Sequence, residues 1–375
     1  MTAEHPAPGS RWVVGLVGDP GLPYQLARDI APDLAEELRQ HVSDRWDWRI
    51  VAIEHRFSAD EQGQLALKDI VDTVVTRHGL DVVVCITDQP RRSGTQPIVA
   101  DITCRDRVAI TSLPALGAVR LRRRARHAVV RLVAELVADA IQSLPHGADA
   151  AVGTTQAAML APFARTTPGE GDIDVRFVGT GRHSRLRLLA GMVRANRPWL
   201  LVPQLSSAFA AAFAAGALVL ITETVWRMAV LLGSLRLGVA AVLAVATMVS
   251  WLVVDHEMWE RPSSAEDREL ARLYNATTLI TVAIGVVCLY AGLFVAGLMV
   301  EALLLPRSIL GSALGHTAGI GEYLAVAWLL ATIATVGGAV GTGFASDEAV
   351  VQAAYGYRQR ERRDHESPHL TDDLG

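Results

Sequence analysis

The chain has 375 residues, room for two or three domains, and a formal net charge of −4. A slightly acidic balance excludes bulk electrostatic attraction to nucleic acid, and no nucleic-acid partner is expected. Apolar residues are unevenly spread: the sequence reads as soluble up to about residue 198 and as mostly apolar from about 199 to 345.

The soluble part opens with MTAEHPAPGSRW, which lacks a basic stretch followed by an apolar run. No secretory signal is read, and this region is expected to stay in the cytoplasm. RWVVGLVGD (11–19) is apolar and β-branched, a strand ending in the turn PGLP. The next segment spaces Leu26, Ile30, Leu34 and Leu38 as one face of a helix. WDWRIVAIEHRF (46–57) predicts a second strand, and LALKDIVDTVVTRHG a second helix stopped by Gly79. LDVVVCITD (80–88) is so continuously apolar that it predicts a strand covered on both faces. QPIVADITC and DRVAITSL predict two strands joined tightly through Arg105 and Asp106. A long helix over 120–142 places Leu121, Ala125, Val129, Leu132 and Leu136 on one side. Residues from about 143 to 183 are rich in Gly, Pro and Thr and read as a linker with one strand-like piece, DIDVRFVG.

Few chemical motifs stand out in this half. GLVGDPG (15–21) follows a strand and precedes a helix, but its glycine spacing is not GxGxxG, and Pro20 removes a backbone donor that a phosphate would need. A tight turn is the plainer reading. Cys85, Cys104 and Cys288 form no CxxC, so neither a zinc ribbon nor a disulfide framework is signalled. His127 stands alone on its helix, with Arg131 one turn on. Lys68 is the only lysine, so arginine carries nearly all the positive charge. One arginine group, Arg120, Arg122, Arg123, Arg124 and Arg126, lies at the start of the long helix. Another, Arg185, Arg187, Arg194 and Arg197, lies in a segment that fits an amphipathic helix at the membrane surface. These arginines are the candidate contacts to anionic lipid headgroups.

Four apolar runs, 200–221, 237–254, 277–300 and 323–344, approach or reach the roughly 20 helical residues needed to cross a bilayer. GGAVGTG in the last allows helices to approach closely. Arginines concentrate before the first run, between the second and third, and after the fourth. The positive-inside bias therefore predicts cytoplasmic termini in a bacterial inner membrane. Between the second and third runs lies DHEMWERP (255–262), one residue away from the zinc-peptidase signature HExxH. Glu260 stands where the second His is needed. Asp255, His256 and Glu257 are therefore expected to be wetted charges at the membrane edge, with Pro262 ending the helix. Glu223 and Glu301 lie near the outer ends of runs one and three, where snorkelling makes a carboxylate inexpensive, and Asn275 begins the third run. These six are the polar membrane-edge residues of functional interest.

GMVRANRPW, WERPSSAEDRELARLYN, ATVGGAVGTG and SLPALGAVRLRRRAR together resemble an uncharacterised family of bacterial integral membrane proteins. The resemblance implies a soluble domain followed by four spans and brings no activity. Some members carry a methylenetetrahydrofolate dehydrogenase label. That chemistry uses a Lys one helical turn after a Tyr, whereas Lys68 has Gln64 at that place. More weakly, LDVVVCITDQP, then PIVADITCRDRVAITSLPAL and a long helix, look like the core of archaemetzincin-type zinc peptidases. Where those carry HExxH, this chain reads His127-Ala-Val-Val-Arg131.

The sequence thus predicts an α/β domain, three-layer or sandwich, with a mixed sheet of about five strands (1–145). A linker (146–183), a basic juxtamembrane helix (184–198), an all-α four-helix transmembrane bundle (199–345) and a polar tail (346–375) follow. No catalytic, cofactor-binding or metal-binding residue is assigned. The expected role is binding, scaffolding or sensing through the α/β domain, with the bilayer and an unidentified protein as partners. The alternatives are an enzyme of unrecognised type, marked by a pocket holding Asp19, Asp88 or Asp101 with perturbed protonation, and a transporter or channel component.

Overall fold

The computed structural model describes residues 11–57, 71–93, 96–138, 163–168, 173–196, 206–262 and 267–342. The chain divides into two compact units, Met1–Ala195 and Asn196–Gly375.

The first unit is built on a mixed sheet. Strands β1 (Arg11–Gly18), β2 (Asp47–Glu54), β3 (Val82–Thr87), β4 (Arg92–Ser93), β5 (Gln96–Thr103), β6 (Val108–Ser112), β7 (Phe163–Thr166) and β8 (Val175–Gly179) run in the order β2-β1-β3-β6-β5-β8-β7, with β4 on β5. The first four of that order are parallel, and the remaining pairings are antiparallel. Every residue of β3 is buried, as its unbroken apolarity requires. Helix α1 (Leu22–His41) and helix α4 (Leu121–Leu136) pack on each other and on the sheet. Leu26, Ile30, Leu34 and Leu38 are the buried stripe of α1. Alternate residues of β1, β3 and β6 point the other way. There Val17, Val83, Cys85, Val108 and Ile110 cluster with Val74, just ahead of one helical turn, α2 (Thr76–His78). Gly79, with φ +57°, ends that turn, where a left-handed residue is needed. Before that turn, Val71–Val75 of the expected second helix form a π-helical turn, and the part before residue 71 lies outside the described residues.

The sheet has eight strands, not about five. Two of the additions come from the stretch that read as a linker. β8 pairs with β5, and β7 closes the edge on β8. β8 is the strand-like piece DIDVRFVG, paired with β5 from some 70 residues earlier, while β7 was not legible because it is short and its partner is β8. A short helix α3 (Leu113–Leu116) follows β6, and helix α5 (Arg182–Ala195) packs against α3 and β5. The tight turn read at GLVGDPG is present: a Cβ on Gly18 would stand 2.6 Å from the backbone of Tyr24, so only glycine fits.

The second unit comprises helices α6 (Ser206–Ile221), α7 (Glu223–Asp255), α8 (Asp267–Leu304), α9 (Arg307–Leu314) and α10 (Ile320–Thr342). Among the described residues three helices are long and apolar enough to cross a membrane: Glu223–Asp255, Ala271–Leu304 and Ile320–Gly341. The first expected run begins outside the described residues, and its described part, α6, is an apolar helix of 16 residues, about 24 Å long. Helix α10 packs against α6, α7 and α8. Its glycines make this possible: a Cβ on Gly337 would lie 2.6 Å from the Ala215 Cβ. Helix α7 is broken at Gly233 (φ 70°, ψ 163°), so the expected run 237–254 is its second part alone. Large apolar side chains point outward along these helices, including Leu231, Leu235, Val242 and Leu303, as a lipid-facing surface requires. Helix α9 lies in a loop for which the sequence predicted no element.

An arginine cleft as the candidate functional site

Helix α4 starts without the usual devices. Arg120 occupies its N-cap in the left-handed region (φ 53°), no side chain caps the end, and the first turn holds no acid. The N-terminal N–H groups and the positive end of the helix dipole therefore lack an anionic partner from the helix itself. The sequence places arginines there instead. Arg120, Arg122, Arg123 and Arg126 line a cleft of about 450 Å³ together with Leu121 and, from α5, Arg194.

The cleft is held in shape from two sides. On one side α1 supplies acids: Arg126 reaches Glu37 at 2.8 Å and Asp33 at 3.2 Å. Arg122 donates to the Asp29 carbonyl at 2.7 Å. On the other side α5 closes on the turn between α3 and α4. Arg194 donates to the Ala118 carbonyl. Arg187 lies across Gly117, where a Cβ would meet its Cγ at 2.5 Å, and stacks over Phe163 at 5.3 Å. Gly117 also has φ +91°, so the site requires glycine twice over. Arg124 donates to the Leu116 carbonyl at 2.9 Å. Burial first, and then the neighbouring Arg124 charge, push the Arg187 guanidinium below its usual value.

After these bonds two cleft arginines, Arg120 and Arg123, remain exposed, and among the described residues their guanidinium groups make neither an ion pair nor a hydrogen bond. The sequence named the arginines of both segments. Only the fold brings Arg194 beside a helix start that lies some 70 residues away in the chain. Arg185 is exposed on α5, and Arg197 lies outside the described residues. His127 sits one turn inside α4, its imidazole lowered from the usual value by burial foremost.

Of the three carboxylates proposed as marks of an enzyme, Asp19 and Asp101 are committed to structure, whereas Asp88 has the perturbed protonation that such a mark requires. The β1/β3 junction is where the chain reverses direction across the parallel strands, a usual ligand crevice. There Asp19 accepts from the Thr87 hydroxyl at 2.8 Å and the Phe57 N–H at 3.1 Å. Asp101 is gripped by Arg176 at 2.7 Å and Arg91 at 2.8 Å. Asp88, following β3, is pushed up to about 6, chiefly by burial.

In the second unit several expectations are corrected. The α7 helix stops at Asp255, well before Pro262, and Glu257 turns the chain with φ 49°. His256 is not a wetted charge: it is buried, as is Met258, while Asp255 and Glu257 are exposed. The segment is turned inward by Asn275, whose amide accepts from the Glu260 N–H at 2.8 Å and donates to the Glu260 carbonyl at 3.0 Å. Glu223 is exposed and pairs with Arg227 at 2.6 Å. Glu301 does not snorkel; its side chain is fully buried and neither carboxyl oxygen has a hydrogen-bond partner. Helical spacing explains this, because Glu301 lies between Gly297, which abuts Leu330 of α10, and Leu305, whose carbonyl accepts from Tyr323 of α10. Among the described residues no three His, Cys, Asp or Glu side chains gather as a metal ion would require.

Comparison with protein-family models, with curated proteins and with solved structures gives no match.

Proposed function

We propose that this is a multi-pass membrane protein whose α/β domain is a binding module for phosphate-bearing anions, with the arginine cleft as its site. The observation that carries the proposal is the pair of unengaged arginines, Arg120 and Arg123, at an uncapped helix N-terminus. Guanidinium groups match phosphate oxygens in two-pronged geometry, and helix N–H groups complete such a site. Asp19 and Asp101, two of the three carboxylates that an enzyme could have used, are bonded internally, which favours binding over catalysis. In this reading the apolar run 200–221 is a fourth span, and the termini and the 255–268 loop share the cytoplasmic face of a bacterial inner membrane. Reporter fusions after Arg194, Ala265 and Asp364 then read cytoplasm, and one after Ala313 reads the outside.

The binding test uses the full chain in nanodiscs of zwitterionic lipid, titrated with inorganic pyrophosphate in a calorimeter. Saturable binding that weakens with salt is expected, together with its loss in the triple variant Arg120→Gln/Arg123→Gln/Arg194→Gln. Absence of binding to the parent chain, or binding unchanged in the triple variant, overturns the reading.

A further inference from the structure

Every other large apolar side chain that is strongly exposed among the described residues belongs to the second unit, where outward apolar groups suit lipid. The first unit has two. Val119 is 66% exposed and Leu186 is 63% exposed, while the other large apolar residues described in this unit are buried or half-buried. Both lie on the elements that build the arginine cleft. Val119 directly precedes Arg120 in the turn between α3 and α4, and Leu186 sits on α5 between Arg185 and Arg187. The two elements are fastened together, since Arg187 lies on Gly117 and Arg194 bonds to Ala118. Two elements fastened to each other therefore carry exposed arginines, an uncapped helix start and two bare aliphatic groups.

Resting on the anion-binding reading of the cleft, we propose that its ligand is the headgroup layer of an anionic bilayer, with Val119 and Leu186 as the apolar prongs that enter it. A soluble phosphate compound has no use for aliphatic groups held in water beside its site. A bilayer surface uses both: guanidiniums meet lipid phosphates, and short apolar side chains pass between headgroups to the acyl boundary. The sequence agrees, because α5 ends at Ala195 and the apolar run begins at residue 200. A nucleic acid would be met by the same arginines but would leave the prongs in water.

The full chain is placed in nanodiscs of phosphatidylcholine alone and of phosphatidylcholine with phosphatidylglycerol. Backbone hydrogen exchange is followed over 117–126 and 182–194, with side-chain oxidation at Val119 and Leu186 by hydroxyl radicals. Both readouts are expected to slow severalfold in the anionic discs, with the protection lost at high salt. Each arginine facing the surface is worth roughly fivefold in the docked-to-free ratio, so Arg120→Gln and Arg123→Gln singly reduce the protection and together abolish it. Val119→Ser with Leu186→Ser keeps pyrophosphate binding but loses most of the protection. Both positions are exposed, so unchanged melting is the control for folding.

Equal exchange in the two lipids overturns the inference, as does protection by a soluble oligonucleotide in neutral discs that matches the anionic discs. Full protection in the serine variant removes the prongs from it. If pyrophosphate binds but anionic discs give no protection, only the bilayer inference fails. If pyrophosphate does not bind, the cleft reading fails first.

Discussion

Replacing Asp101 by Asn should be among the most damaging single changes in the α/β domain. The Asp101 side chain is 1% exposed, and two guanidiniums close on it: Arg91 at 2.8 Å and Arg176 through bonds of 2.7 and 3.1 Å. Arg176 comes from β8, directly opposite Asp101 in the β5–β8 register, and Arg91 comes from the segment before β4. One carboxylate therefore fixes three pieces of chain. The Arg91 guanidinium is already pushed below its usual value by burial, and Asp101 is the charge that opposes this most. Asparagine keeps the shape but removes the negative charge, leaving two half-buried cations facing each other. Breaking such a pair costs about 3–5 kcal/mol, which for a domain of this size is a melting shift of roughly 6–20 °C. Melting of the full chain in detergent is measurable by tryptophan fluorescence. Trp12, Trp46 and Trp48 of the α/β domain stack with ring centres 4.9–6.1 Å apart and report its packing. Arg176→Met should cost less, because Asp101 then keeps Arg91. A domain transition within about 2 °C of wild type for Asp101→Asn, or Arg176→Met falling below it, would refute the reasoning.

Asp88 is pushed up to about 6 by burial, so the neutral acid is favoured in the folded domain. That contribution is complete below the unfolded aspartate range near 4 and is lost as pH rises through about 6. Asp88→Asn should therefore melt like wild type at pH 4 and above it at pH 7.5; equal differences at both would refute the assignment. Gly337→Leu should separate α6 from α10, since even a Cβ there would meet the Ala215 Cβ at 2.6 Å. Reduced thermal stability of the detergent-solubilised bundle, largely recovered by no change at Ala215 bulkier than glycine, is the expected result. Glu301→Leu removes a buried carboxyl with no hydrogen-bond partner, which should stabilise the bundle by about 1–3 kcal/mol; a lower melting temperature would mean that Glu301 holds a partner in the membrane.

What the sequence determined alone was local and periodic. The buried stripe of α1, the covered strand β3, the β5–β6 hairpin, the glycine that ends α2 and the apolar runs all follow from repeats of about two or 3.6 residues, or from unbroken apolarity. These are properties of a single segment against water, so they are legible in that segment. Tertiary structure decided what depends on partners far away in the chain. β8 is a sheet strand because β5 offers it an edge and Asp101 offers Arg176 a counter-charge, and β7 because β8 in turn offers it one. His256 is buried because Asn275 draws the Glu260 backbone inward, and Glu301 because helical spacing turns it toward α10. The arginines were visible as two separate runs. That Arg194 would join Arg120 and Arg123 in one cleft required α5 to dock on the Gly117 turn. Composition records which groups a chain can offer, but only the long-range packing of its elements decides which of them face one another.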